Sequence, residues 1–305
     1  MEKIVESVPN FSEGRNLEKI ERIVNVFRCN EKVKLLDYSS DKYHNRTVVT
    51  VIGEPEALKN CMIESVGVAV ETIDLTKHEG QHPRLGAVDV IPFIPIKNMT
   101  LDETDALAKD FGITIAEKYQ LPVYFYEKSA SAEHRKNLAI IRKGEFEGLP
   151  EKMKLNEWKP DAGPEERHPT AGATVTGARM PLIAFNVNLH TTDFEIADKI
   201  AKKIRFIGGG LRFCKAMGVD LKEQGLMQVS MNLTDYANTT IYQAVEMIRF
   251  EAKRYGVSVA GCELVGLVPL QALVDTASYY LGLEGFTMKQ ILETHLIENC
   301  THHLK

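Results

Sequence analysis

The chain has 305 residues, 44% hydrophobic and 26% charged, a balance that excludes disordered, collagen-like and disulfide-scaffold classes. That length corresponds to about two domains or subdomains of roughly 150 residues, so a cleft between halves is geometrically available. The 37 Lys and Arg against 42 Asp and Glu leave a formal charge of −5, which attracts neither nucleic-acid backbones nor anionic membranes, so an anionic ligand has to be held by a local cluster of positive charge.

In chain order, periodicity predicts a strand at 4–8, an amphipathic helix at 17–27, strands at 33–38 and 46–53, a helix at 55–73 and a strand at 88–94. This order is βαββαβ. A helix at 102–119 and a strand at 122–126 follow, and the pattern then dissolves between 128 and 174 into a polar, Pro- and Gly-containing stretch that reads as a connector between halves. The order recurs as a strand at 182–189, a helix at 194–206, strands at 211–217 and 226–233, a helix at 240–255 and a strand at 257–264, with a last helix at 270–281. The expected fold class is α+β: two ferredoxin-like βαββαβ subdomains, 1–178 with the connector and 179–305, with helices on one face of each sheet and the other faces meeting across a ligand.

Strand alternation adds chemistry, because successive side chains point to opposite faces. Asn186 and Asn188 share one face of their strand, as do Gln228, Ser230 and Asn232 of theirs, while the residues between are apolar. Such a face is either solvated or a polar wall in a crevice, where amides both donate to and accept from a heterocycle edge.

His78-Glu79-Gly80-Gln81-His82 matches the HExxH string of zinc proteases. That chemistry needs one continuous helix through both histidines, whereas Gly80 weakens a helix and Pro83 pushes His82 out of the α region. The expectation is a loop joining a helix to a strand, with no metal. Within that loop His82, stiffened by Pro83 and close to Arg84, suits a general acid or base. No GxGxxG, Walker lysine loop, GxSxG or CxxC occurs. Gly208-Gly209-Gly210 before Arg212 and Lys215 reads either as a helix stop and turn or as an anion-binding nest. Cys29, Cys61, Cys214, Cys262 and Cys300 are odd in number and widely spaced, which fits free thiols in a reducing compartment. The start lacks an apolar signal core, so a cytoplasmic protein is expected, and His302 and His303 read as a solvated tail.

Taken together, the segments resemble the glutamate formimidoyltransferase family. The matching blocks are Val8 to Gly14, Asn45 to Val48, His82 to Asp89, Pro160 to Pro164, Gly172 to Arg179 and Leu264 to Leu270, in family order. The resemblance implies transfer of a formimidoyl group between N-formimidoyl-L-glutamate and tetrahydrofolate in histidine catabolism, with tetrahydrofolate as co-substrate and no metal. It places the catalytic histidine at His82. The folate segments it implies are Gly163, Pro164, Arg167, His168, Pro169, Thr170 and Gly172, then Gly209, Gly210, Arg212, Lys215 and Gly218. Asn10, Asp37, Arg46, Arg84, Arg179, Asn188 and Asn232 are the candidates for the other substrate, arginines being suited to its carboxylates. The resemblance further implies a homodimer and a cyclodeaminase on a separate protein. The sequence departs from the animal pattern at Asp37-Tyr38-Ser39, where a second acid is absent, and in the run Glu165-Glu166-Arg167-His168. A glutamate formyltransferase using N-formyl-L-glutamate, or a non-catalytic folate-binding protein, are the alternatives.

Overall fold

A computed structural model describes residues 2–295, and the chain divides into two compact units that meet at Met180 and Pro181. Cys300, His302 and His303 lie outside the described residues. Cys29, Cys61, Cys214 and Cys262 are free thiols. No helix among the described residues is long and apolar enough to cross a membrane.

Unit 1 contains strands β1 (Ile4–Ser7), β2 (Asn10–Phe11), β3 (Val33–Asp41), β4 (Arg46–Gly53), β5 (Val88–Lys97), β6 (Val123–Phe125) and β7 (Thr174–Ala178). Its helices are α1 (Leu17–Arg28), α2 (Pro55–Thr72), α3 (Leu101–Tyr119), α4 (Leu138–Arg142) and α5 (Glu145–Lys152). β1 and β2 form one line through the sheet, each pairing with β4 and β5, broken at Val8-Pro9 where Pro9 has no N–H to give. Strands β3, β4, β1/β2 and β5 are antiparallel neighbours in the ferredoxin-like order, and β7 and β6 extend the sheet in parallel beyond β5.

One face of this sheet is covered by helices. In α1, Ile20, Ile23, Val24 and Phe27 recur at helical spacing and are buried, and Asn16 starts the helix by accepting from the Lys19 N–H at 3.1 Å. They join Leu58 and Met62 of α2 and Phe111 and Ile115 of α3 against Val5, Val49, Val51 and Phe93. Each such side chain contributes about 1.5–3 kcal/mol on leaving water.

The opposite face is where the sequence expectation needs correcting. The stretch 128–174 is no irregular connector between halves: α4 and α5 lie within it, and Ile141, Leu149 and Met153 form a separate core with Val90, Tyr124 and Val175. The apolar anchors are too few and too unevenly spaced to register as periodicity. β7 escaped for another reason, since all five of its residues are buried and no alternation marks it. The part of this face over β1 to β4 is mixed, carrying Glu6, Asn10, Ser39, Arg46 and Thr50 beside Val48 and Ile52.

Unit 2 contains β8 (Ile183–Leu189), α6 (Phe194–Ile204), β9 (Cys214–Leu221), β10 (Leu226–Leu233), α7 (Ile241–Arg254), β11 (Val259–Val265) and α8 (Leu270–Leu281). Its sheet runs β11-β8-β10-β9, antiparallel throughout, which is the expected ferredoxin-like order. β9 starts later than predicted because Leu211 is held in a turn, its N–H donating to the Ile204 carbonyl at 2.8 Å. Phe185, Val187, Val229 and Met231 face α6 and α7 in the core.

Candidate active site

Residues 78–87 are an irregular loop between a single 3-10 turn, Leu75–Lys77, and β5, as the glycine and proline within it require. The two histidines of the HExxH string are therefore not stacked on a helix. His78 is spent on structure: its Nε2 lies 2.9 Å from the Asn45 carbonyl, and its Nδ1 accepts from Arg84 Nε at 3.2 Å. With Nδ1 accepting, Nε2 carries the proton, so this ring is neutral and has no lone pair left for a metal. No group of His, Cys, Asp or Glu suited to a metal occurs among the described residues.

The hairpin turn between β3 and β4 supports the loop. Asn45 sits there in the left-handed region at φ 50°, a conformation that Asn tolerates better than most residues. Its buried amide accepts from the Gly14 N–H at 2.9 Å and donates to the Glu79 carbonyl at 3.0 Å. Gly80 packs so closely on this turn that a Cβ would lie 2.4 Å from the His44 carbonyl oxygen.

The segment 163–172, singled out by family resemblance, is laced to the far end of the same loop. Ala87 N–H donates to the Ala171 carbonyl at 2.9 Å, and Ala173 N–H donates to the Leu85 carbonyl at 3.2 Å. Gly86 and Gly172 face each other across a bridge, and a Cβ on Gly172, which has φ 72°, would lie 2.2 Å from the Leu85 carbonyl oxygen. His168 Nδ1 accepts from the Ala171 N–H at 3.0 Å, and burial lowers its pKa. Arg167 stacks on Phe146 at 3.9 Å and donates to the Phe146 carbonyl at 2.9 Å. Thr170 accepts from the Leu75 N–H through its carbonyl, Gly163 holds φ 87°, and Pro164 and Pro169 complete the loop.

His82 itself is half-buried, and no side chain among the described residues hydrogen-bonds its ring. Burial first, then the positive charges of Arg46 and Arg142, hold its pKa down to about 3 from the ordinary 6.5, with His44 and His78 adding smaller effects. The imidazole is therefore neutral with both nitrogens available, its pKa lying below the near-neutral value expected from the sequence because burial and the two arginines disfavour the imidazolium. Arg142, at the end of α4, pairs with the buried Asp89 of β5, and Asp89 also accepts from the Leu85 N–H at 2.8 Å. Arg46 opens β4 on the polar face, and its guanidinium has no hydrogen bond or ion pair among the described residues.

The other expected site residues fall as follows. Arg84 is not available to a substrate: its buried guanidinium is clamped by Glu147 at 2.6 and 3.0 Å and by Glu145 at 2.6 Å. It ties α5 to the loop, so its role here is to position. Asp37 is exposed on β3, and Asp41 spends both oxygens on its own turn, accepting from the N–H groups of Tyr43 and His44 and contacting the His44 ring, all at 2.8 Å. Asn10 lies in register between Val48 and Val90 on the polar face. Arg179 follows β7 and donates to the Met180 carbonyl at 2.9 Å. Arg142, Glu145 and Glu147 were missed because they sit in the stretch that showed no pattern. A surface cavity of about 880 Å³ elsewhere in unit 1 is lined by Lys3, Glu54, Glu103 and Asp110 among others, and it shares no residue with the His82 loop.

In unit 2 the expected polar face is present. Gln228 donates to Asn188 at 2.9 Å and to Glu263 at 3.3 Å, and Asn186 donates to the same Glu263 oxygen at 3.1 Å. Asn232 and Lys215 are register partners on this face, both exposed. Arg212 is exposed over Phe213, and Gly209 ends a 3-10 turn at φ 85°, while Gly210 is held against the Ile204 carbonyl, 2.4 Å from where its Cβ would stand. Gly218 packs on the backbone of Asp198 in α6. Helix-stop geometry thus accounts for Gly209.

Two family models match the chain: the formiminotransferase domain, N-terminal subdomain, over residues 4–179, and the formiminotransferase domain over residues 184–304. The chain is 50% identical to the glutamate formimidoyltransferase of Streptococcus pyogenes serotype M1, over 97% of this chain and 100% of that protein. It is 45% identical to the glutamate formimidoyltransferase of Thermoplasma acidophilum, over 95% of this chain and 96% of that protein. The formimidoyltransferase-cyclodeaminase of Rattus norvegicus is 43% identical over 98% of this chain, which covers 56% of that protein. The free imidazole of His82, its two neighbouring arginines and the loop laced to it are thus features of a chain that belongs to the formiminotransferase family.

Proposed function

We propose that this protein transfers the formimidoyl group between N-formimidoyl-L-glutamate and tetrahydrofolate, giving L-glutamate and 5-formimidoyltetrahydrofolate, with His82 as general base and then general acid. The observation that carries this is the half-buried His82 ring on its laced loop, left without a protein hydrogen-bond partner among the described residues and held neutral by burial first and then by Arg46 and Arg142. The folate N5 attacks the amidine carbon, a new C–N bond forms, and the attacking nitrogen must shed a proton. His82 takes it and returns it to the glutamate nitrogen as the old C–N bond breaks, a service worth about 10²- to 10⁴-fold. Holding both substrates in one place supplies a further entropic share.

Tetrahydrofolate is a co-substrate here, with Gly163 to Gly172 and Gly209 to Gly218 as its proposed contacts, while Asn10, Asp37, Asn188 and Asn232 are polar candidates for the other substrate. No metal enters the scheme. A cytoplasmic homodimer belongs to the same proposal on family grounds. The direct test is His82→Ala: kcat is expected to fall about 10²- to 10⁴-fold while the Kd for tetrahydrofolate changes less than threefold or so. Unchanged turnover in that variant removes His82 from the chemistry.

A further inference from the structure

We propose that Arg46 and Arg142 together form a receptor for one carboxylate of the glutamate-bearing donor, an inference that rests on the formimidoyl-transfer reading of the His82 loop. Arg46 is the central observation. Its guanidinium is half-buried on the polar face of β4, its Nε is shielded with no partner, and no ion pair is made among the described residues. The acid in register with it, Asp41, is committed to its own turn. Burial and the positive charge of Arg142 both lower the pKa of Arg46, and Asp89 and Asp41 offset this only in part. Two guanidinium groups and one paired carboxylate, Asp89, leave one positive charge uncompensated.

Burying a guanidinium without a counter-ion beside a second cation is costly in the free protein and is relieved by an anion. A planar fork of donors on each arginine suits a carboxylate. Arg142 is also held in place at both ends. Asp89 fixes its tip, and the Lys152 ammonium closes the α4 turn by donating to the carbonyls of Ile140, Ile141 and Lys143 at 3.1, 2.5 and 3.1 Å while lying 3.8 Å over the Trp158 ring. The Nε of Arg142 remains unpartnered, like that of Arg46.

The donor is favoured over the folate tail by covalent distance. His82, whose proton both arginines oppose, serves the glutamate nitrogen, which is separated from the donor's α-carboxylate by a single carbon. The carboxylates of a folate tail lie beyond the aminobenzoyl group, far from N5.

Arg46→Met and Arg142→Lys test the receptor in the full chain. With Arg46→Met, KM for N-formimidoyl-L-glutamate is expected to rise about 10- to 100-fold with KM for tetrahydrofolate unchanged, the loss of one charge-assisted fork. Calorimetric binding of L-glutamate should weaken by a similar factor. Because Arg46 has no protein partner to lose, Tm should stay level or rise. Arg142→Lys keeps the charge for Asp89 and should give a smaller rise in donor KM. Donor KM within twofold of wild type in both variants, a change confined to tetrahydrofolate, or a Tm lowered by several degrees in Arg46→Met would overturn the receptor. Wild-type protein that binds L-glutamate in an Arg46-dependent way yet turns over no formimidoyl donor would keep the receptor and remove the transfer reading.

Discussion

His82 shows how one residue acquires chemistry from its surroundings. The histidine, the proline after it and the nearby cation Arg84 are legible in the sequence, but its protonation state is set by burial first and then by cations that come from β4 and α4. Arg84 turned out to be spent on Glu145 and Glu147, and Arg142 took the place expected of it. The depressed pKa carries a stability consequence. In the unfolded chain the ring takes up a proton as pH falls through 6.5, whereas in the folded chain it does so only near 3, so stability is lost as pH falls through that window and is unaffected above it. His78 and His168, also lowered, add to the same trend. His82→Ala should therefore lose less stability than wild type between pH 7 and pH 4.5, read as the shift in urea midpoint at each pH. Equal shifts in the two proteins would show that the ring is not held neutral.

At the scale of elements, helices and strands with one buried stripe were legible, α1, α2, α3, α6 and α7 among them, because each packs a periodic apolar face on a sheet. Of the segments that build the site, β4 and the His82 loop were legible as a strand and a loop, and the stretch 128–174 was not. The stretch 128–174 folds by a few long-range anchors, among them the buried pair of Arg135 and Asp161 at 2.7 Å, which leave no local pattern. The lacing of the 163–172 segment to the His82 loop is backbone to backbone, so the only side-chain trace it leaves is the glycines that permit close approach. Gly172 is the sharpest of these. Gly172→Ala puts a Cβ against the Leu85 carbonyl at a positive φ and should cost on the order of 2 kcal/mol or more. It should also raise KM for tetrahydrofolate by displacing the segment. Gly144→Ala, at a similar φ of 93° but with its nearest neighbour 3.6 Å from the Cβ, should cost less, and denaturant midpoints separate the two. Equal losses would mean that close approach contributes nothing beyond the backbone strain.

For the whole molecule, the order βαββαβ appears twice, in each unit as a sheet with helices packed on one apolar face and polar side chains on at least part of the other. That recurring element order was readable from periodicity, as was the strand β6, but not β7 and the parallel extension it makes with β6, nor the second core that α4 and α5 build on it. The formal charge of −5 is an average that says nothing about the His82 loop, where Arg46 and Arg142 outnumber Asp89. On the proposed function, this arrangement moves a formimidoyl group. Parallel kcat/KM measurements with N-formimidoyl-L-glutamate and N-formyl-L-glutamate, each with tetrahydrofolate, test it most directly, the first read as 5,10-methenyltetrahydrofolate with cyclodeaminase added. At least a tenfold preference for the formimidoyl donor, about 1.4 kcal/mol in transition-state binding, is the expected result. A comparable or higher value for the formyl donor, or no turnover with either, would contradict it.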